Sequence, residues 1–584
     1  MKSSILIITA LYVSLLFPQQ KFEVNLNDRA DDQFKVTVYP HNLSAENNVF
    51  HFASTAPGMY QIIDAGRFVR SFRAYDKNGK EIETEKISTN DWQLSAPKDI
   101  AYIQYGIAET WDTTVDENPI YLMGGTSIEK DNVVINGPDV FGYFEGKQSD
   151  SVYIKLLYPQ EWEVGTALTR DTEGYYRASD YDQVVDSPFL LGDLTMSTLK
   201  IDDTEIDIYT YSKTGMIKSD DIMNSARNVF RALDKFVDGM PVDRYVLLFH
   251  FEDQSAGAWE HSYSSFYVYQ ESPFSGRLES DIRDVIAHET FHMITPLHIH
   301  SEVIEKFNFV KPVLSQHLWF YEGVTEWSSH MMQLRAGLTS LDDYLEMMRN
   351  KLFMDDHSDQ SISLVKLSLN SFELQPQFMI VYERGSVIAD LLNLKLLELS
   401  GGKRGLRELI IELSKDYGPE KSFSEKDFFN EITRRTYPEV MNFINSYIIG
   451  TEPLPLKEYF DKIGINYSEQ KGVDSSRITI DIGLAAAGDR LMISTAPESS
   501  EAKAGDVILK INGMELNLSN YQFIFGGVQS MKAGQAVKFT VKRDGEEKDI
   551  EIKLEPMPIK HVFEVNPDAS PEQLKLREAW MGKL

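Results

Sequence analysis

The stretch Val285-Ile-Ala-His-Glu-Thr-Phe-His-Met293 restricts the fold more than any other part of this chain. Ile282, Val285, Ile286 and Phe291 recur at helical spacing, so the segment reads as a helix whose apolar side packs into a core. His288 and His292 then share one face, one turn apart, where both imidazoles can reach a single tetrahedral Zn²⁺. Glu289, beside the first histidine, is placed to take a proton from water at that metal. A solvated amphipathic helix can carry such a motif without any metal. The apolar side argues instead for histidines aimed at a definite place, and a zinc hydrolase is the expectation.

Two histidines leave a zinc site incomplete, and the chain contains no cysteine, so the remaining ligands must be histidine or carboxylate. The segment Leu318-Trp-Phe-Tyr-Glu-Gly-Val-Thr-Glu-Trp327 offers Glu322 and Glu326 one helical turn apart. Glu322 is expected to ligate the metal and Glu326 to accept the second N–H of a ligand histidine. His298, His300 and His317 lie nearer in sequence and compete for the third ligand position.

The apolar period changes twice along the chain, which predicts a multidomain α+β protein. Residues 21–200 are mostly of period two, as in Phe22-x-Val24-x-Leu26 and Phe34-x-Val36-x-Val38, and read as a β-rich domain. In residues 201–463 a strand-like Glu205–Tyr211 gives way to helical patterns. One of these places Ile222, Ala226, Val229, Phe230, Leu233 and Val237 on one face behind an N-cap at Ser219. Short strands return over 464–556, with Asp544-Gly545 signalling a hairpin between Val537–Val541 and Ile550–Leu554, and 557–584 reads as a loosely attached tail.

Residues 1–20 read as a signal peptide, because Ile5–Phe17 is apolar behind Lys2 and too short to cross a bilayer comfortably. Export to the periplasm or the extracellular space follows, with retention of residues 5–17 as a membrane anchor the alternative and no transmembrane span expected in the mature chain. The net charge of −31 argues against nucleic acid as a partner, since two polyanions repel.

The motifs His288-Glu-Thr-Phe-His292, Trp319-Phe-Tyr-Glu-Gly-Val-Thr-Glu-Trp327 and Tyr382-Glu-Arg-Gly385 resemble the zinc helix, glutamate helix and tyrosine segment of gluzincin metallopeptidases, the glycyl aminopeptidase family in particular. Asp186-Ser-Pro188 with Gly192 is similar to the start of that family's catalytic domain. Gly257-Ala-Trp-Glu-His261 is similar to its substrate strand, and Ala504–Gly513 to the centre of a PDZ domain. The resemblance implies a thermolysin-like catalytic domain between a β-sandwich-like N-terminal domain and a PDZ-like domain, with one Zn²⁺ per chain. It implies a substrate site at Gly257, Ala258 and Glu260, with Glu260 holding the free α-amino group of a peptide, and Tyr382 donating to the developing oxyanion. The chain departs from the family in three places, one of them Leu397, which stands where the family's tyrosine helix usually ends on a basic residue. His292 is followed by Met-Ile-Thr-Pro-Leu-His-Ile-His300, and residues 293–321 make a longer spacing to Glu322 than related alanyl aminopeptidases have, so a preference for glycine does not carry over.

Three functions compete: an aminopeptidase, a zinc endopeptidase in which Glu260 meets peptide backbone, and a peptide-binding scaffold built on the PDZ-like domain. That domain is expected either to bind a peptide C-terminus near Ile482-Gly-Leu484 or to serve structure and autoregulation.

Overall fold

A computed structural model describes residues 19–584 except 116, 255–256, 488–489 and 519. The expected signal peptide therefore lies almost wholly outside the described residues. Among the described residues, no helix is long and apolar enough to cross a membrane.

The N-terminal region is built on an eight-stranded sheet in which Gln19–Asn25 lies between Ser151–Leu157, its parallel neighbour, and Gln33–Tyr39, its antiparallel one. Alternate side chains enter the core as the period of two requires: Phe22, Val24, Phe34, Val36 and Val38 are all buried. A second sheet brings Phe50 and Trp92 against them, giving the layered, sandwich-like packing expected.

The central region opens with a five-stranded sheet, in the order Thr195–Ile201, Thr204–Ser212, Arg244–Glu252, Ser264–Gln270 and Gly257–Glu260. Gly257–Glu260 is the edge strand, antiparallel to its neighbour. Helix Ser219–Val237 covers the sheet with the predicted apolar face. It starts at Ser219 itself, one residue earlier than the sequence suggested, because Asp221 accepts from the backbone N–H of Lys218. Behind it lie helices Arg277–Phe291, Val324–Arg335, Leu341–Asp355 and Ile380–Ser400, the last buried nearly all round.

Two helical segments meet at glycines. A Cβ on Gly323 would stand 2.8 Å from Gly385 Cα and one on Gly385 would stand 3.0 Å from Gly323 Cα, so the backbones carrying Glu322 and Tyr382 touch. This approach fixes the distance between those two side chains before any contact of their own.

Strands return in the PDZ-like region, ordered Gly483–Ala487, Arg490–Thr495, Val507–Ile511, Ala536–Arg543 and Glu546–Lys553, with helix Tyr521–Gln529 beside them. The Asp544-Gly545 hairpin is present, both turn residues having positive φ.

The end of the chain overturns the expectation of a loose tail. Glu555–Val565 pairs along Ile465–Thr479, and helix Pro571–Met581 docks on the catalytic helices with Trp580 fully buried. The prolines and charges of this segment suggested mobility, but Pro556, Pro558 and Arg577 are partly buried, and Phe563, Leu576, Ala579 and Met581 pack on the catalytic core together with Trp580.

Candidate active site and metal centre

The helix Arg277–Phe291 delivers His288 and Glu289, and His292 caps its end; all three are buried. The imidazole orientations are set from behind. Glu326 Oε2 lies 2.6 Å from His288 Nδ1, and the Thr295 carbonyl accepts from His292 Nδ1 at 2.8 Å. Nδ1 of each ring is thus the protonated nitrogen, which turns both Nε2 lone pairs inward. Glu322, on a π-turn at Trp319–Gly323, meets them there. Its Oε2 is 3.5 Å from His288 Nε2 and 3.6 Å from His292 Nε2.

Those separations fit a divalent zinc, since ligand atoms at metal distances of roughly 2.0–2.1 Å in a tetrahedron stand about that far apart. A second grouping, Glu260 with Glu289 and His292, also has its ligand atoms within 4.8 Å of one another. The first is the better cage: it uses both pre-oriented imidazoles and leaves Glu289 free. Glu289 Oε2 is buried without a hydrogen-bond partner among the described residues, as a base waiting for a water would be. Burial, opposed by His288 and assisted by Glu322, pushes its carboxyl up to about 7.

The competing histidines are engaged elsewhere: His298 faces the Ser414 carbonyl, His317 that of Glu425, and His300 Nδ1 that of Pro296. The structure thus brings Glu322, and none of these three, to the motif histidines.

Glu326 is tied down in turn. Its Oε1 accepts from Lys351 Nζ at 2.6 Å and faces His330 Nε2 at 3.0 Å. Burial works to raise this carboxyl, but Lys351, His330 and His288 outweigh it and hold it well below the usual range. An ionised Glu326 keeps His288 in the ligating tautomer. Glu326→Gln is therefore expected to weaken zinc binding about 10- to 100-fold, as measured by competition with a chromophoric chelator; unchanged affinity would remove the orienting role.

Glu260 ends the edge strand and is buried beside the other carboxylates. Burial, with Glu322 and Glu289 close by, raises it well above the ordinary range. Gly257 and Ala258 precede it on a strand whose outer edge pairs with no other strand among the described residues, so an extended peptide can add there. The Tyr382 ring lies 5.7 Å from that of His288, centroid to centroid, with its hydroxyl facing Glu322.

Sequence reasoning missed Tyr60. It belongs to the N-terminal region, yet its hydroxyl donates to Glu322 Oε1 at 2.9 Å, leaving Oε2 for the histidines. Its φ of 47° is unusual for so bulky a residue. The conformation is held by Gln375 Nε2, which donates to the Tyr60 carbonyl at 2.5 Å. Gly58 makes the approach possible, because a Cβ there would fall 2.5 Å from Glu260 Oε1. Nothing local in the sequence marks a loop that reaches across to another domain.

The PDZ-like loop also meets the catalytic region: Thr495 Oγ1 donates to the His357 carbonyl at 2.6 Å, and a Cβ on Gly483 would stand 2.5 Å from the same oxygen.

Three family profiles match the chain: the Peptidase M61 N-terminal domain over residues 21–193, the M61 glycyl aminopeptidase over 281–385, and a PDZ domain over 463–554. No curated protein gives a significant match. A crystal structure of an aminopeptidase N family protein from Idiomarina loihiensis is similar, with a TM-score of 0.78 and 20% identity over 96% of this chain and 100% of that one. At that identity the likeness establishes the fold. A two-domain M1 zinc metallopeptidase bound to L-tryptophan matches at a TM-score of 0.47 with 11% identity, over 75% of this chain and 95% of that one. Native yeast LTA4 hydrolase matches at 0.48 with 14% identity, over 76% and 70%.

Proposed function

We propose that this metallopeptidase, which joins the N-terminal and catalytic domains of the M61 glycyl aminopeptidases to a PDZ domain, removes single residues from the free N-termini of peptides. The observation that carries this reading is the third carboxylate. His288, His292 and Glu322 suffice to hold a zinc ion and Glu289 to act as base, yet Glu260 is buried among them with Gly58 packed behind it. A further carboxylate in so confined a place calls for a second cation, and the ammonium of a peptide N-terminus supplies one. The loop around Tyr60 stands beside Glu260 and Glu322, where a longer chain would have to pass.

Zinc held by the three ligands would supply Lewis acidity at the scissile carbonyl. The chain's own residues do the rest. Glu260 anchors the amine and so sets which bond reaches Glu289. Glu289 takes a proton from the attacking water and returns it to the leaving nitrogen. Tyr382, whose phenol burial keeps protonated, donates to the oxygen that becomes negative.

A peptide library with free or acetylated N-termini, incubated with the zinc-loaded protein and read by mass spectrometry, tests this. Stepwise shortening of the free peptides alone is expected. Internal cuts in both sets would make the enzyme an endopeptidase and remove Glu260 from the role of amine anchor.

A further inference from the structure

A cavity of about 300 Å³ lies next to Tyr60 and Glu260, between the N-terminal and catalytic regions. That size is at the lower bound of ligand pockets, roughly 300–1,000 Å³. It adjoins the proposed amine anchor, so it lies where the side chain of a bound N-terminal residue would go.

Its chemistry is one-sided. Asp182, Asp186 and Glu305 line it together with Glu260, and no lysine or arginine does. Asp186 accepts from the backbone N–H of Ser262 and faces His261 Nδ1 at 3.5 Å, while Asp182 accepts from the Gln148 amide and Glu305 from the Ser422 hydroxyl; none of the three has a lysine or arginine partner among the described residues. Burial raises Asp182 to about 6, as expected of a carboxylate short of a cation. His300 adds an independent indication. Its Nδ1 donates to the Pro296 carbonyl, so in the neutral ring, which burial favours, Nε2 is an acceptor. That atom is buried and unpartnered, and His300 lines the cavity. His261 Nε2 is also buried and without a partner among the described residues. The cavity thus carries carboxylates that lack a lysine or arginine partner and a buried acceptor at His300, and Trp259, Phe307 and Phe309 add aromatic walls that suit an alkyl stem or a guanidinium face.

We propose that this cavity receives the side chain of the N-terminal residue and selects arginine or lysine, a long stem ending in a donor-only cation. The assignment rests on the aminopeptidase reading and adds its substrate class.

The zinc-loaded protein, assayed on the aminomethylcoumarin amides of Arg, Lys, Leu, Gly and Glu, is expected to give kcat/KM values for Arg and Lys at least roughly tenfold above the rest, the scale of one charge-assisted hydrogen bond. The double variant Asp182→Asn, Glu305→Gln should bring the Arg-to-Leu ratio down towards one. Equal rates, or a preference for Leu, Gly or Glu, overturn the pocket and leave the aminopeptidase intact. Binding of L-argininamide and of uncharged L-citrullinamide to the Glu289→Gln protein, measured by calorimetry, gives a readout independent of turnover. Tighter binding of argininamide with no cleavage of any amide upholds the pocket and overturns the aminopeptidase reading, whereas equal binding overturns the pocket.

Discussion

Glutamine in place of Glu289 is expected to leave the zinc content unchanged and lower kcat at least about 100-fold, and as much as about 10,000-fold, the range for loss of a general base. The substitution keeps the size and the local packing of the motif helix. Ligation is untouched because His288, His292 and Glu322 take their orientation from Glu326, Thr295 and Tyr60, none of which touches the Glu289 carboxylate. What disappears is an oxygen basic enough to accept a proton, at the buried Oε2 position that has no other partner among the described residues. Metal analysis and turnover on the same preparation separate the two effects. A zinc-replete variant with near-normal kcat would mean that another group is the base.

Trp580→Ala should destabilise the catalytic domain by about 3–5 kcal/mol, the range for truncating a large buried aromatic side chain. The indole is fully buried, and its Nε1 donates to Asp390 Oδ1 at 2.8 Å. Trp327 Nε1 donates to the same oxygen at 3.1 Å, and the Trp580 carbonyl accepts from Arg335 Nε at 3.1 Å. Truncation therefore opens a cavity and deprives a buried carboxyl, already raised to about 6 by burial, of one of its two tryptophan donors. Calorimetry of the full chain measures it, and a catalytic-domain transition left where it was would show that the last helix merely rests on the surface.

The grouping of His288, His292 and Glu322 was legible because a helix converts spacing into position: His288 and His292 must share a face, and Glu322 and Glu326 sit one turn apart even though a π-turn intervenes. The strands of the N-terminal sheet were legible for the analogous reason, since Phe22, Val24, Phe34 and Val36 alternate inward. Tyr60 was not legible. Its role depends on how two separately patterned regions dock, and no local period encodes docking. The C-terminal helix failed differently: the segment is polar over much of its length, and its attachment combines Trp580, the partly buried Leu576, Ala579 and Met581, and hydrogen bonds from Gln573 and Arg577 to the Asp461 and Ile463 carbonyls. Gly323 and Gly385 are intermediate, for both stand in the motifs while their mutual contact emerges only in three dimensions.

Two of the donors that brace this region, Tyr60 and Trp580, stand far apart in the sequence. The first secures Glu322 and the second, through Asp390, joins the helix that follows Glu322 to the helix that carries Tyr382. A fragment limited to residues 257–385 would therefore hold every motif residue and lack the bracing by Tyr60, Asp390 and Trp580.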